Sequence, residues 1–315
     1  MRMLLYTTLL MGGLFLAHHA GAQNAALLIG QGDSLLVQNA ASKALDKYNA
    51  AVEAGHTADA YAGRARAWYA LGKYDKFLAD VNTALEKDSL HGKANYQRAL
   101  YALRAGDNAG AIRAATTVLD AGPDPDLRRH ALVVRGEARA ANGATQPAIA
   151  DLAEGLMGDT GQVDAMKTLA RLQDAANDPA ASLATLEKLC ELQPLDIGNW
   201  SNRGFELNRL ERYEEAIQVL DRALQLDKDE PVVLSNKAYS LFKLGRDTEA
   251  LSTVNRSLKA DRSNPYALRT RALLYLRKGD RNKACNDLTL AKAMGGAPEV
   301  DALVKQHCEG IEKKR

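Results

Sequence analysis

The chain has little that would mark a reaction or a polyanionic partner. Lys and Arg number 41 against 39 Asp and Glu, a net charge of +2 over 315 residues. No field of one sign therefore argues for nucleic acid or an anionic membrane surface. Aromatics are 5% and prolines number eight. In their place Ala, Leu, Arg, Lys, Asp and Glu dominate, a mixture that favours helices. There is no G-x-x-x-x-G-K-[ST] phosphate loop, no H-E-x-x-H pair, no G-x-S-x-G elbow and no C-x-x-C pair, so the familiar motifs of nucleotide, zinc-protease, serine-hydrolase and dithiol chemistry are missing. His56, His91, His130 and His307 do not converge on one expected surface. No catalytic residue, metal or cofactor is called for.

The one long apolar run is at the start. Arg2, then Leu4 to Ala17, then Ala20-Gly21-Ala22 has the basic, apolar and small-x-small order of a secretory signal peptide. Residues 1–22 are expected to be removed, leaving a chain that begins at Gln23 with no membrane span; an uncleaved anchor is the alternative. Export to the periplasm or beyond the cell would place three cysteines in an oxidising compartment. Cys285 and Cys308 lie near each other at the C-terminal end, and Cys190 is far from both.

A 34-residue step runs through the rest. Its clearest copy, residues 197–230, carries one apolar stripe at Trp200, Gly204 and Leu207 and a second at Ala216, Leu220, Ala223 and Leu224. Each stripe has helical spacing. Units begin at Ala58, Gly92, Arg129, Val163, Ile197, Pro231 and Pro265, after a weaker one over 25–57. Position eight is small in all seven clear units: Ala65, Ala99, Gly136, Ala170, Gly204, Ala238 and Ala272. Position twenty is small in six, with Phe77 the departure, and position fifteen is Gly in five. Two stretches disturb the step. Residues 126–128 read as an insertion, and 158–161 as a soft junction.

This period, the small residues at eight and twenty, and segments such as LGKYDKFLADVNTAL and LERYEEAIQVLDRAL resemble tetratricopeptide repeats. The resemblance implies an all-α solenoid, a right-handed superhelix of helical hairpins over 23–296, divided as 25–57, 58–91, 92–125, 129–162, 163–196, 197–230, 231–264 and 265–296. A capping helix opened by Pro298 and a charged tail would fill 297–315. The resemblance also implies a groove lined by the first helix of each hairpin, at positions two, five, six, nine, twelve and thirteen. In the last three units the candidates include Asn202, Phe205, Arg209, Asn236, Tyr239, Lys243, Tyr266 and Arg269. Asn202 and Asn236 share position six, where an amide can hold an extended peptide backbone by donating and accepting. The aromatics could equally pack between helices. Val232 and Tyr266 at position two depart from the carboxylate-clamp pattern.

Position seven is cationic in six units, and position twenty-three is Asp in three of them. The spacing predicts structural ion pairs Arg64–Asp80, Arg135–Asp151 and Arg271–Asp287, each within one hairpin. Cys285 stands on the face of the last hairpin that the capping helix must cover, and a Cys285–Cys308 disulfide is expected there, with two free thiols as the alternative. A metal site of Cys285, Asp287, His307 and Cys308 is the weaker alternative to the bridge. The expected activity is binding of another protein or an extended peptide by an exported, non-enzymatic scaffold of a cell-envelope assembly. A periplasmic chaperone-like binder and an enzyme with an unrecognised site are the other possibilities.

Overall fold

Each turn between paired helices is set by one residue in the left-handed region. Gly72, Gly106, Gly143, Gly245 and Gly279 have φ between 69° and 79°, and Asn177 and Glu211 hold the same repeat position at 60° and 59°. Such a residue turns its amide back onto the last carbonyls of the helix it ends. The amide of Gly72 donates to Tyr69 O at 2.9 Å, and that of Lys73 to Trp68 O at 2.9 Å. The next helix can then start within three residues.

The computed structural model describes residues 23–158, 161–295 and 297–308, and every regular element among them is an α-helix. The expected signal peptide, the tail and part of the 158–161 junction lie outside the described residues. Two units follow one another, residues 1–159 and 160–315. The first contains α1 (residues 23–37), α2 (Ala41–Gly55), α3 (Ala58–Ala70), α4 (Tyr74–Lys87), α5 (Gly92–Arg104), α6 (Asn108–Asp120), α7 (Pro125–Ala141) and α8 (Thr145–Gly155). The second contains α9 (Val163–Ala175), α10 (Pro179–Leu192), α11 (Ile197–Arg209), α12 (Tyr213–Leu226), α13 (Pro231–Lys243), α14 (Asp247–Ala260), α15 (Pro265–Arg277), α16 (Arg281–Met294) and α17 (Val300–His307). Helices pack in antiparallel pairs: α3 with α4, α5 with α6 and α7 with α8 in the first unit, and α9 with α10 through α15 with α16 in the second. First helices also lie side by side, α3, α5 and α7 in one unit and α11, α13 and α15 in the other. None of the described helices is long and apolar enough to cross a membrane.

The small residues explain why the pairs close tightly. Position eight faces position twenty-four of the partner helix: a Cβ on Gly204 would come within 2.5 Å of Leu220, and one on Gly136 within 2.7 Å of Leu152. Leu152 and Leu220 are fully buried, and each such side chain contributes about 1.5–3 kcal/mol. In α1 the same logic accommodates Gly32, which sits in mid-helix. A Cβ there, or on Gly63 of α3, would run into the Tyr48 ring at 2.7 and 2.5 Å. The fully buried Tyr48 thus uses two glycines as clearance, and its hydroxyl donates to Asp33 at 2.6 Å. Burial, followed by that acidic acceptor, raises the phenol above its ordinary range.

One detail refines the reading of the sequence and another corrects it. The insertion at residues 126–128 is helical. Asp124 caps the helix by accepting from the amides of Asp126 and Leu127, and Pro125 opens it, so the extra residues lengthen α7 by its first turn. Pro298 does not begin the last helix. It precedes Glu299, which adopts φ +64° at the N-cap position, and α17 starts only at Val300. The freed Pro298 carbonyl points back to α15 and accepts from Arg269 at 3.3 Å.

Candidate functional site

Along α11, α13 and α15 the side chains at groove positions form two neighbouring cavities. One, of about 240 Å³, is lined by Phe205, Asn208, Arg209, Ser235, Asn236, Tyr239, Tyr266, Arg269, Thr270, Pro298 and Glu299. The other, of about 410 Å³, lies toward α9 and α10 and is lined among others by Lys167, Arg171, Asp174, Asn202, Phe205 and Glu206. Phe205 borders both. The structure therefore gathers Phe205, Arg209, Asn236, Tyr239, Tyr266 and Arg269 at one cavity and puts Asn202 at the other. Lys243 lines neither; its ammonium stands over the Tyr213 and Tyr239 rings at 5.6 and 5.9 Å.

These residues differ in what they have left to offer. Asn202 is exposed and Tyr266 is 38% exposed. Asn236 is half-buried; its side-chain amide donates to Ser201 O only at 3.5 Å, while its backbone carbonyl accepts from Asn208 and from Ser240. Asn208 is buried and tied to Ser240 at 2.6 Å, which makes it part of the α11–α13 contact. Arg209 is engaged by Asp174, Glu206 and Asn177. Arg269 is buried beneath Tyr239, with its guanidinium carbon 5.0 Å from the ring centroid. Glu206 is 2% exposed. Burial raises its carboxyl above the ordinary range, the Asp174 charge adds to this, and Ser182 and Arg209 oppose it.

Candidates are named from the sequence only in the last three units, and the structure has a cavity in the first unit as well. A cavity of about 470 Å³ is lined by Tyr69, Phe77, Tyr96, Leu100 and Tyr101, with Leu36, Ala70, Arg66, Lys93 and Gln97. Phe77 makes edge-on and tilted contacts with Tyr69 and Tyr101 at 5.3 and 5.4 Å. The groove positions used for the last three units, applied to 58–91 and 92–125, include Arg66, Tyr69, Ala70, Lys93, Tyr96, Gln97 and Leu100 of this lining. The large residue at position twenty was the second signal.

The ion pairs hold the scaffold around these cavities. Arg64 meets Asp80, Arg135 meets Asp151 and Arg271 meets Asp287 through two bonds of 2.7–2.8 Å each, and all three carboxylates are buried. Asp151 also accepts from Arg139 at 2.7 Å. Each of these three arginines additionally reaches back to the preceding hairpin, to Asn49, Thr116 and Asn255. Where position twenty-three carries no acid, the backward contact becomes the ion pair, as in Arg203–Glu187 and Lys237–Asp221. At the C-terminal end Cys285 and Cys308 are joined by a disulfide with Cα atoms 5.5 Å apart. Cys190 is free and buried, and burial pushes its thiol up to about 11. Among the described residues no group of three or more His, Cys, Asp or Glu is placed to hold a metal ion.

The sequence matches two models described as tetratricopeptide repeat, one over residues 29–91 and 96–160, the other over 207–274. No curated protein matches it. Solved structures that it resembles include a tetratricopeptide repeat protein from Parabacteroides merdae ATCC 43184, at 14% identity over 80% of this chain and 98% of that one, with a TM-score of 0.45. A thermophilic TPR protein of Thermus thermophilus aligns at 17% identity over 57% and 98%, TM-score 0.46. A MamA crystal structure aligns at 18% over 50% and 93%, TM-score 0.44. The matched segments take in more than half of the sequence, and the chain belongs to the tetratricopeptide repeat family.

Proposed function

We propose that this protein is an exported, non-enzymatic scaffold that binds another protein, or an extended segment of one, as part of a cell-envelope assembly. The observation that carries the reading is the row of Phe205, Tyr239 and Tyr266 on three adjacent first helices, flanked by the amides of Asn202 and Asn236. Aromatic faces supply apolar contact area with few rotatable bonds. Amides at the same repeat position can donate to and accept from a peptide backbone. Export rests on the order of residues 1–22 and accords with the Cys285–Cys308 bridge, since disulfides persist in oxidising compartments.

The aromatic cavity of the first unit favours a second reading, a periplasmic chaperone-like binder of apolar segments. The two separate in one experiment. The mature protein, tagged at its C-terminus, is used to capture partners from envelope extract, beside Phe205→Ala and Tyr239→Ala variants. A single stoichiometric partner lost in both variants supports the scaffold. A broad set of unfolded clients supports the chaperone reading, and capture that ignores both substitutions contradicts the groove.

A further inference from the structure

The cavity of the first unit is more than a stretch of groove along first helices. Its walls come from four helices of three successive hairpins: Leu36 of α1, Tyr69 of α3, Phe77 of α4, and Tyr96 and Tyr101 of α5. Phe77 belongs to a second helix, so the lining extends beyond the row of first helices. At about 470 Å³ it falls within the roughly 300–1,000 Å³ of sites that take a whole small molecule. The rings are set in advance. Phe77 is buried and held by Tyr69 and Tyr101, and the Tyr69 hydroxyl accepts from Arg104. Burial holds the Tyr96 phenol above its ordinary range, as a wall of low polarity should.

One polar group of this lining has capacity left. Gln97 lines the cavity and is 8% exposed, and its side-chain nitrogen donates to Ala62 O at 2.8 Å. That bond fixes which way the amide points, because the Ala62 carbonyl can only accept. The side-chain oxygen is left without a hydrogen bond and closed to water. Buried polar atoms are ordinarily paired, so the complementary occupant brings an N–H or O–H. The charges exclude one class of occupant. Arg66 and Lys93 line the cavity and, among the described residues, no carboxylate does. A cation of the kind that aromatic cages hold would meet charge of its own sign.

We infer that this cavity is a binding site for a free small aromatic molecule of the indole or phenol class, its ring packed among Tyr69, Phe77, Tyr96 and Tyr101 and its one N–H or O–H donated to Gln97. The inference goes beyond the partner groove of α11, α13 and α15 and stands without it. Aromatic walls favour a ring over an aliphatic chain, because edge-on and offset ring pairs gain more than the area they bury. An extended peptide fits less well. Its backbone brings carbonyl oxygens along with its amides, and the Gln97 nitrogen that could answer one is already used.

The test is isothermal titration calorimetry on the full mature chain. Indole and para-cresol are titrated beside N-methylindole and para-methylanisole, which keep the ring and lose the donor, and beside the capped peptide Gly-Gly-Trp-Gly-Gly. Saturable binding of indole or para-cresol, at least fivefold tighter than its methylated counterpart and than the peptide, supports the inference, and the tighter of the two names the class. Gln97→Met is expected to bring each methylated pair within twofold. Because the Ala62 carbonyl loses its donor in that variant, a second one spares the core: Ala70→Trp, at an exposed position of the lining, should fill the cavity and weaken binding at least tenfold with an unchanged melting temperature. Equal binding of the methylated compounds, undiminished binding by Ala70→Trp, or no binding of either ring overturns the inference. Tighter binding of the peptide also overturns it and gives the cavity to the chaperone-like reading.

Discussion

Replacing Cys308 by Ser should release the last helix while leaving the first unit unchanged. The bridge closes a separation of 23 residues, and the loop-closure relation gives roughly 3.4 kcal/mol at 25 °C for a loop of that length. Little else can replace it. The eight residues of α17 are too few to be stable alone, and within it only Val300 is fully buried, with Leu303 and Val304 partly covered. The Lys292–Asp301 pair is exposed on both sides and contributes little, about 0–1 kcal/mol. Because each repeat touches only its neighbours, the loss should stay local rather than spread through the chain. Hydrogen exchange measured by mass spectrometry on oxidised wild type and Cys308→Ser reads this directly. Amides of α17 and the end of α16 should exchange roughly a hundredfold faster or more, since each 1.4 kcal/mol is tenfold, with α3 to α6 unchanged. Protection within about threefold of wild type would mean that packing, not the bridge, holds α17.

Three other substitutions probe the scaffold. Asp151→Asn strips the charge facing both Arg135 and Arg139 and should cost about 3 kcal/mol in urea denaturation, the low end for breaking a buried pair because the arginines keep some solvent contact; a loss under 1 kcal/mol would contradict the role given to the pair. Gly204→Ala places a methyl against Leu220 and should cost about 1–3 kcal/mol, a loss that Leu220→Val partly restores in the double variant. Glu206 has a folded-state pKa above its unfolded one because of burial, so its protonated form contributes stability that is fully present below the unfolded value and fades as pH rises through the folded value. The urea midpoint of the wild type should therefore fall over that window relative to Glu206→Gln, and parallel profiles would show that Glu206 is not the group responsible.

What could be read in advance follows from the period. A step of 34 residues puts position eight opposite position twenty-four, so Gly204 with Leu220 and Gly136 with Leu152 announce a helix contact before any coordinates exist. The same step leaves an ambiguity in the charges. An acid can stand sixteen residues after a position-seven cation or sixteen before it, and each of the cations below has an acid at only one of the two places. Arg64 takes Asp80 ahead of it, whereas Arg203 takes Glu187 and Lys237 takes Asp221 behind. In the first unit the groove positions reach most of the cavity's lining but not Phe77, the departure at position twenty, whose ring packs against Tyr69 and Tyr101. The contact of Arg269 was hidden for another reason. Its acceptor, the Pro298 carbonyl, lies 29 residues on and just before a left-handed Glu299 that no repeat pattern foretells.

The groove of first helices is the surface on which a partner is expected. A photo-crosslinking residue placed one at a time at Phe205, Tyr239 and Arg222, in cells that make the full-length protein, measures this without isolating the partner first. Arg222 is exposed on α12, the second helix of its hairpin, and serves as the opposite face. One discrete crosslinked product should form from Phe205 and from Tyr239, and none from Arg222. Crosslinking from Arg222 with none from the other two positions would place the partner on the outer helices and refute the groove.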